Sequence, residues 1–316
     1  MAPPDRKTIS IVTPCYNEEA GIRACRDEVR ALMEAQLPHY NYEHIFIDNC
    51  STDRTPAILR ELASADLRVK VILNARNFGV GRSSFHAIIS ARGDLVIPVM
   101  ADLQTPPSLI PTMVSLWEGG ARVVIAVRRR AEEGAVMGTL RALFYRLMRN
   151  VSKVEQVPNF MGYGAYDQMA IAALRQLNEP EPFFRGLIME VGFERAFIEY
   201  DQPARRTGRS SYNLASLADY AILGLSTYSR APLRIMTAVG FAVACLSLLV
   251  GFGYLVAKLL FWSSFPLGVA PLVIAVFFLG AVQLLAIGIV GEYVGLLLNY
   301  ARQFPLVVEK ERMNFD

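Results

Sequence analysis

Two apolar runs, Ile235–Ala257 and about Leu267–Val290, constrain this 316-residue chain more than any other feature. Each exceeds the roughly 18 to 20 residues that a helix needs to cross a bilayer, and neither contains a charged side chain. Charged residues crowd before Arg234 and after Gly291, so the apolar content of 53% is concentrated rather than spread. The chain therefore divides into a polar head and a pair of expected membrane helices.

The flanks of the runs set an expected orientation. Arg230 and Arg234 precede the first run and Arg302, Lys310 and Arg312 follow the second, whereas the connection Lys258–Pro266 holds one lysine at a helix end, where it can snorkel. The positive-inside rule then places both termini and the head in the cytoplasm, on a multi-pass protein of the inner (plasma) membrane. Trp262, Tyr293 and Tyr300 fall where aromatic belts form. The stretch Ile9–Val12 is too short for a signal-peptide core. Cys15, Cys25, Cys50 and Cys245 show no metal or disulfide spacing, and His39, His44 and His86 are scattered. A net charge of +3, carried in short basic clusters, gives no case for nucleic acid and suits phosphates better.

Within the head, short β-rich runs alternate with helix-period segments. Strands are expected at Thr8–Thr13, His44–Ile47, Lys70–Leu73, Leu95–Val99 and Arg122–Val127, with helices near Ala20–Leu37, Thr55–Ala65, Gly81–Ala91 and Pro107–Glu118. Asp53 and Thr55 can cap the second helix, and Pro106 and Pro107 can open the fourth. The pattern is that of a parallel, Rossmann-like α/β sheet, in which ligands bind beyond the carboxyl ends of the strands. Tyr16, Asn17 and Glu18 follow strand one, Asp48 ends strand two, Asn74 and Arg76 follow strand three, Asp102 follows strand four and Arg128 follows strand five. Five strand ends thus converge on one rim, as a nucleoside-diphosphate site requires.

The stretches Thr13-Pro-Cys-Tyr-Asn-Glu18, Ile47-Asp-Asn-Cys-Ser-Thr-Asp53, Asn74-Ala-Arg-Asn-Phe-Gly79, Ala101-Asp-Leu-Gln-Thr-Pro-Pro107 and Arg205-Arg-Thr-Gly-Arg-Ser-Ser-Tyr212 resemble glycosyltransferase family 2. Within it the chain is similar to the polyisoprenyl-phosphate glycosyltransferases, the group of dolichol-phosphate mannose synthase and the bactoprenol glucosyltransferases. The resemblance covers essentially the whole chain and implies a GT-A catalytic domain at 1–212, a juxtamembrane interfacial helix at 213–232, two transmembrane helices within 233–300 (about 233–257 and 267–291) and a cytoplasmic tail at 301–316.

The resemblance also implies roles. Pro14, Tyr16, Glu18 and Asp48 would hold the nucleoside, with Asp48 accepting a hydrogen bond from a uracil N–H, and Asn74 and Arg76 would complete the nucleotide site. Asp102 and Gln104 would hold a divalent cation, Mg²⁺ or Mn²⁺. Where many relatives carry Asp-x-Asp, this chain has Met100-Ala-Asp102, which leaves one carboxylate. Arg128, Arg141 and Arg205 are phosphate clamps by type, since guanidinium binds phosphate bidentately. Arg141, Arg205 and Ser210 are expected on the lipid-phosphate side, with Ser211 in place of the family's usual lysine. For the cluster Arg205–Arg209, attraction to anionic headgroups is the alternative. Asp167 aligns with a recurring family aspartate, so that a general base, an acceptor-side group and a structural hydrogen bonder are all open to it. The family's Gly-Asp-Phe-Arg pattern appears as Met161-Gly-Tyr-Gly164.

The expected reaction is inverting transfer of a hexose, glucose from UDP-glucose, to polyprenyl (undecaprenyl) phosphate at the cytoplasmic membrane face, for later use by a flippase and a downstream transferase. The alternatives are another donor (GDP-mannose, UDP-GlcNAc or a modified pentose) or a catalytically silent membrane scaffold. Gly240, Gly251, Gly253, Gly288, Gly291 and Gly295 offer small faces for a homo-oligomer.

Overall fold

A computed structural model describes residues 6–129, 157–177, 179–203, 231–260, 269–302 and 304–315. The chain forms two compact units, Met1–Asp219 with Gln303–Asp316, and Tyr220–Arg302.

The first unit is built on an eight-stranded sheet. In chain order its strands are β1 (Thr8–Cys15), β2 (Asn41–Asp48), β3 (Val69–Asn74), β4 (Leu95–Pro98), β5 (Val123–Arg128), β6 (Phe160–Asp167), β7 (Arg195–Tyr200) and β8 (Glu309–Met313). Its helices are α1 (Ile22–Gln36), α2 (Thr55–Ala65), α3 (Val80–Ser90), α4 (Ile110–Glu118), α5 (Gln168–Gln176) and α6 (Phe184–Glu190), with a 3₁₀ turn at Pro107–Leu109 leading into α4. The five strands and four helices expected from sequence are all present, each within a few residues of its expected bounds, and α2 coincides with its expected range.

Both sheet faces are covered, so the strands read as continuous apolar runs. Alternate residues of one strand enter opposite layers. Ile9 and Ile11 of β1 pack with Cys25, Val29 and Met33 of α1 and with Ile110, Met113 and Val114 of α4. Val12, Ile45, Ile47 and Ile72 face the other way, onto Phe85 and Ile88 of α3 and Ile171 and Leu174 of α5. A third cluster joins Leu59 and Leu62 of α2 to Phe46, Val71 and Leu73.

The strand order is β7-β5-β6-β4-β1-β2-β3-β8. From β1 the chain winds one way through β2 and β3 and then returns to place β4 on the other side of β1, all parallel. The topological switch point, where ligands lodge in such sheets, lies between β1 and β4. The sheet is mixed, which corrects the expectation of a parallel one: β6 runs antiparallel between β4 and β5, and β8 runs antiparallel to β3. Arg128 nevertheless ends β5 at the same rim as the carboxyl end of β4, because two reversals across β6 restore the direction.

Within 301–316, expected as a tail, Glu309–Met313 pairs with the head sheet as the edge strand β8, where Arg60 forks onto Glu311 and the Asn314 amide donates to the carbonyls of Ala63 and Val69, both at 2.8 Å. An unpaired β3 edge offers a row of free backbone groups, and a short charged strand covers it without inviting a second chain.

The second unit consists of two long helices, α7 (Ala231–Leu260) and α8 (Val269–Arg302), which coincide with the two apolar runs and touch each other. Among the described residues one stretch, Phe278–Gly295 of α8, is long and apolar enough to cross a membrane, with a mean hydropathy of 1.6. Gly240, Gly253, Gly288, Gly291 and Gly295 face open space. The interfacial helix expected at 213–232 lies outside the described residues, apart from the first two residues of α7.

Candidate active site

The rim at the carboxyl ends of β1 and β2 is laced by reciprocal hydrogen bonds between two loops. The Asn17 amide donates to Ser51 Oγ (2.8 Å) and Asn17 Oδ1 accepts from the Thr52 amide (2.8 Å). The Glu18 amide donates to Thr55 Oγ1 (3.0 Å), the Glu19 amide to Asp53 Oδ2 (3.1 Å), and Glu19 Oε2 accepts from the Arg54 amide (3.0 Å). Asp53 also accepts the Thr55 amide (2.9 Å), a turn that leads into α2, whose N-cap is Arg54 rather than the expected Asp53 or Thr55. Such lacing fixes Tyr16 at the loop tip, where its ring is 41% exposed and open to a ligand. Pro14 lies past the last β1 residue that pairs with β4, where a missing N–H costs no ladder bond.

Four non-glycine residues adopt positive φ at this rim: Asn17 (55°), Cys50 (64°) and Leu103 (59°), after β1, β2 and β4 respectively, and Asn159 (59°), just before β6. A bulky residue in the left-handed region costs about 1–2 kcal/mol. For Leu103 that cost is offset by burial of its side chain in the core, worth roughly 1.5–3 kcal/mol. The resulting tight turn is closed by the Leu103 amide on the Met100 carbonyl (3.0 Å) and by the Met100 amide on Thr105 Oγ1 (2.7 Å). It presents Asp102, 8% exposed, whose Oδ1 accepts the Gln104 amide at 3.1 Å.

Asp48 is 1% exposed. Its Oδ2 accepts the Ser51 amide at 3.0 Å, while Oδ1 is buried without a hydrogen-bond partner. Burial pushes its pKa above the ordinary carboxylate value, against the opposing hydrogen bonds from Ser51. Asn74, 2% exposed, shows the same deficit: its Nδ2 donates to Asn49 Oδ1 (3.2 Å) and Ser83 Oγ (3.1 Å), and its Oδ1 has no partner. The loop beyond it is held by Asn49 Nδ2 on Asn77 Oδ1 (2.9 Å) and by the Phe78 amide on Asn49 Oδ1 (3.0 Å). Gly79 opens α3 at φ 85°, which a side chain would strain. Arg76 lies back along this loop, its guanidinium 4.0 Å from the Phe78 ring centroid.

At β5, Arg128 donates to Gln202 Oε1 at 2.7 Å, and its amide bonds to the Asn159 carbonyl where β6 begins. Gln202 had no signal in the sequence. The departure Met161-Gly-Tyr-Gly164 falls on β6, whose first residues share this rim, with Met161 exposed.

Asp167 is the exception. It pairs with Leu95, the first residue of β4, which places it at the amino end of the parallel strands and away from the rim. Its carboxylate accepts from Trp117 Nε1 (2.7 Å), Arg122 (2.8 Å) and the Met169 amide (2.8 Å), so it caps α5 and ties α4 to the sheet. Burial alone would raise its pKa, but these donors hold it below the ordinary value. Of the roles left open for Asp167, these contacts are those of a structural hydrogen bonder, because the antiparallel course of β6 carries it to the end of the sheet opposite the rim. Arg141, Arg205 and Ser210 lie outside the described residues.

Asp102 offers one carboxylate to a cation, and among the described residues no group of three His, Cys, Asp or Glu could hold a metal. That donor set fits a hard divalent ion that takes one or two carboxylates and completes its shell with substrate phosphates and water.

A mixed α/β sheet with its polar loops gathered around a switch point defines a GT-A, Rossmann-like nucleotide-binding enzyme. The chain belongs to glycosyl transferase family 2, whose model matches residues 10–171, and it is a glycosyltransferase. It is 32% identical to the uncharacterized glycosyltransferase YkcC of Bacillus subtilis, over 97% of this chain and 94% of that one. It is also 32% identical to the bactoprenol glucosyl transferase of Shigella phage SfV, over 96% and 98%. The prophage bactoprenol glucosyl transferase homolog of Escherichia coli is 31% identical over 96% and 98%. Among solved structures, glucosyl-3-phosphoglycerate synthase from Mycobacterium tuberculosis in complex with Mn²⁺, UDP-glucose and phosphoglyceric acid is similar at 21% identity, with a TM-score of 0.46, over 70% of this chain and 78% of that one.

Proposed function

We propose that this glycosyltransferase moves glucose from UDP-glucose to a polyprenyl phosphate, undecaprenyl phosphate or a close analogue, at the cytoplasmic face of the membrane. The single observation that carries the reading is the spacing of three polar stations along one rim. Asp48 ends β2, Asp102 follows β4 and Arg128 ends β5. Each successive pair is separated by two interstrand spacings, about 10 Å at roughly 4.8 Å per strand. That sequence suits a nucleoside at β2, its diphosphate over the switch point, and a second anion at β5. The near-full-length relatives named bactoprenol glucosyl transferases supply the sugar and the lipid class.

In this reading the unpartnered Asp48 Oδ1 accepts the uracil N3–H and Tyr16 covers the base, with Pro14 and Glu18 shaping the pocket wall. Asn74 Oδ1 takes a second donor from the nucleoside, and Arg76 lies near it for the phosphates. Asp102 and Gln104 would share a divalent cation with the donor's phosphate oxygens; bound there, such an ion neutralises charge on the leaving diphosphate. Arg128 holds the acceptor phosphate against repulsion from the donor, assisted by Arg141, Arg205 and Ser210. No protein base is required. A phosphomonoester has its second pKa at about 6, so the acceptor oxygen is largely ionised at neutral pH, and catalysis rests on orientation and charge neutralisation. The two long helices would serve as transmembrane anchors that keep the head beside its lipid.

The test incubates membranes containing the protein with radiolabelled UDP-glucose, undecaprenyl phosphate and Mg²⁺ or Mn²⁺, then counts label in the organic phase. Label that disappears with Asp102→Asn and with chelator is the expected result. Label from another nucleotide sugar alone overturns the donor, and no label from any donor overturns the reaction.

A further inference from the structure

The strand that follows α8 makes contacts that an edge strand does not need. β8 pairs with β3 through Val71↔Met313, Ile72↔Arg312 and Leu73↔Glu311, and then the register slips, so that Asn74 faces Glu309. A bulge of this kind bends a strand and re-aims its side chains, here at the residue that enters the donor loop 75–79. Immediately beyond the slip the Ala75 amide donates to the Val308 carbonyl at 2.9 Å. The Glu309 carboxylate reaches the helix that follows that loop: Oε1 bonds His86 Nε2, within α3, at 2.6 Å, and Arg312 pairs with the same carboxylate at 2.9 Å. β8 thus holds the loop from outside by backbone at Ala75, and Glu309 holds the helix into which the loop runs, at His86. From inside the loop is tied through Asn77 and Phe78 to Asn49, the neighbour of Asp48.

We infer that Glu309 is a positioning residue for the nucleotide donor: β8 sets the shape of the 75–79 loop, and through it the placement of Asn74 Oδ1 and Arg76. The inference rests on the donor reading given above. The control lies within the same strand. Among the described residues Glu311 is forked to Arg60 on α2 and makes no bond to the loop, so its removal loosens β8 without releasing the donor side.

The experiment uses the full chain in detergent and measures UDP affinity by calorimetry, separate KM values for UDP-glucose and lipid phosphate, and amide exchange at residues 75–79. Glu309→Ala should raise the Kd for UDP and the donor KM about five-fold, the loss of one charge-assisted hydrogen bond acting through a loop, with kcat and the lipid KM little changed. Exchange at 75–79 should quicken, and Glu309→Gln, which keeps an acceptor for His86, should recover most of the affinity. Glu311→Ala should leave UDP affinity near the parent value. Equal losses in the Glu309 and Glu311 variants, or a fall in kcat at unchanged donor KM, would overturn the inference in favour of a purely structural edge. If the parent chain binds no UDP while Glu309→Ala still frees the loop, the donor reading fails and the grip of β8 on the loop stands.

Discussion

Asp48 and Asn74 close neighbouring parallel strands, and each buries one side-chain oxygen, Oδ1 in both, that has no hydrogen-bond partner. A buried acceptor left unsatisfied costs about 1–3 kcal/mol, so two at adjacent strand ends favour the proposed reading in which a ligand supplies the missing donors. Asp48→Asn turns one acceptor into an N–H that meets the base N–H head on, because the Ser51 amide fixes the other oxygen. The variant should raise the donor KM at least ten-fold, about 1.4 kcal/mol, while its melting temperature holds or rises. Steady-state kinetics alongside thermal unfolding would check both halves. An unchanged donor KM would remove Asp48 from the site.

The pH dependence of donor binding follows from the same residue. Its folded pKa is raised above the ordinary 3.8 by burial, so the ionised form is the strained one in the fold. The stability cost of Asp48 is present above the folded pKa and is relieved as the pH falls through it. Donor binding runs the other way, because protonation places a hydrogen on the oxygen that must accept. Affinity for UDP should therefore begin to fall at a higher pH than an unperturbed aspartate allows, and that early decline should vanish in Asp48→Asn. Calorimetric titrations between neutral pH and pH 4 would measure it.

Asp167→Asn separates a structural carboxylate from a catalytic one. Trp117, Arg122 and the Met169 amide all donate to it, so loss of the charge should cost about 1–3 kcal/mol of stability. Transfer per folded molecule should stay within about two-fold, whereas loss of a general base would cost 10²–10⁴. The depressed pKa gives the sign: the stabilisation is full above the unfolded value and is lost as the pH falls through the folded one. Urea unfolding at pH 7 and pH 3, with activity normalised to folded protein, would settle the role.

In the proposed reading, the single carboxylate of Asp102 would make cation binding depend on the donor. Mn²⁺ should bind weakly to the free chain and tighten by about ten-fold or more once UDP is present, since phosphate oxygens complete the shell. Met100 is 39% exposed and occupies the position of the missing acid, so Met100→Asp should fold normally and strengthen Mn²⁺ binding without UDP. Calorimetry on both forms, with and without UDP, reads this directly. Equal affinity in the two conditions would argue against a shared ion.

The legible part of the fold was the part with strong local pattern. β1 to β4 are dense in Val, Ile and Leu and each is followed by a helix of matching period, so a parallel Rossmann half could be read directly. β6 was hidden because Phe160-Met-Gly-Tyr-Gly-Ala-Tyr-Asp167 has two glycines and no β-branched residue. It is a strand because a slot between β4 and β5 must be filled. β8 was hidden for the opposite reason: Glu309-Lys-Glu-Arg-Met313 has almost no apolar content and owes its conformation to the open edge of β3. In the candidate site, the places of Asp48, Asn74, Asp102 and Arg128 were legible because strand ends can be located from sequence. The place of Asp167 was not, because the direction of a strand cannot, and the contacts of Gln202 and Glu309 depend on partners 74 and 223 residues away.

The reversed course of β6 has a consequence for how such an enzyme can change. β5 ends at Arg128 and β6 starts at Phe160 on the same rim, so the connection between them is anchored at both ends on one side of the sheet. A parallel crossover would have tied its length to the height of the barrier it must climb. Freed from that, a connection anchored in this way can lengthen, shorten or be exchanged while every strand pairing stays in register. One donor-reading scaffold could in this way be refitted to acceptors of different shape.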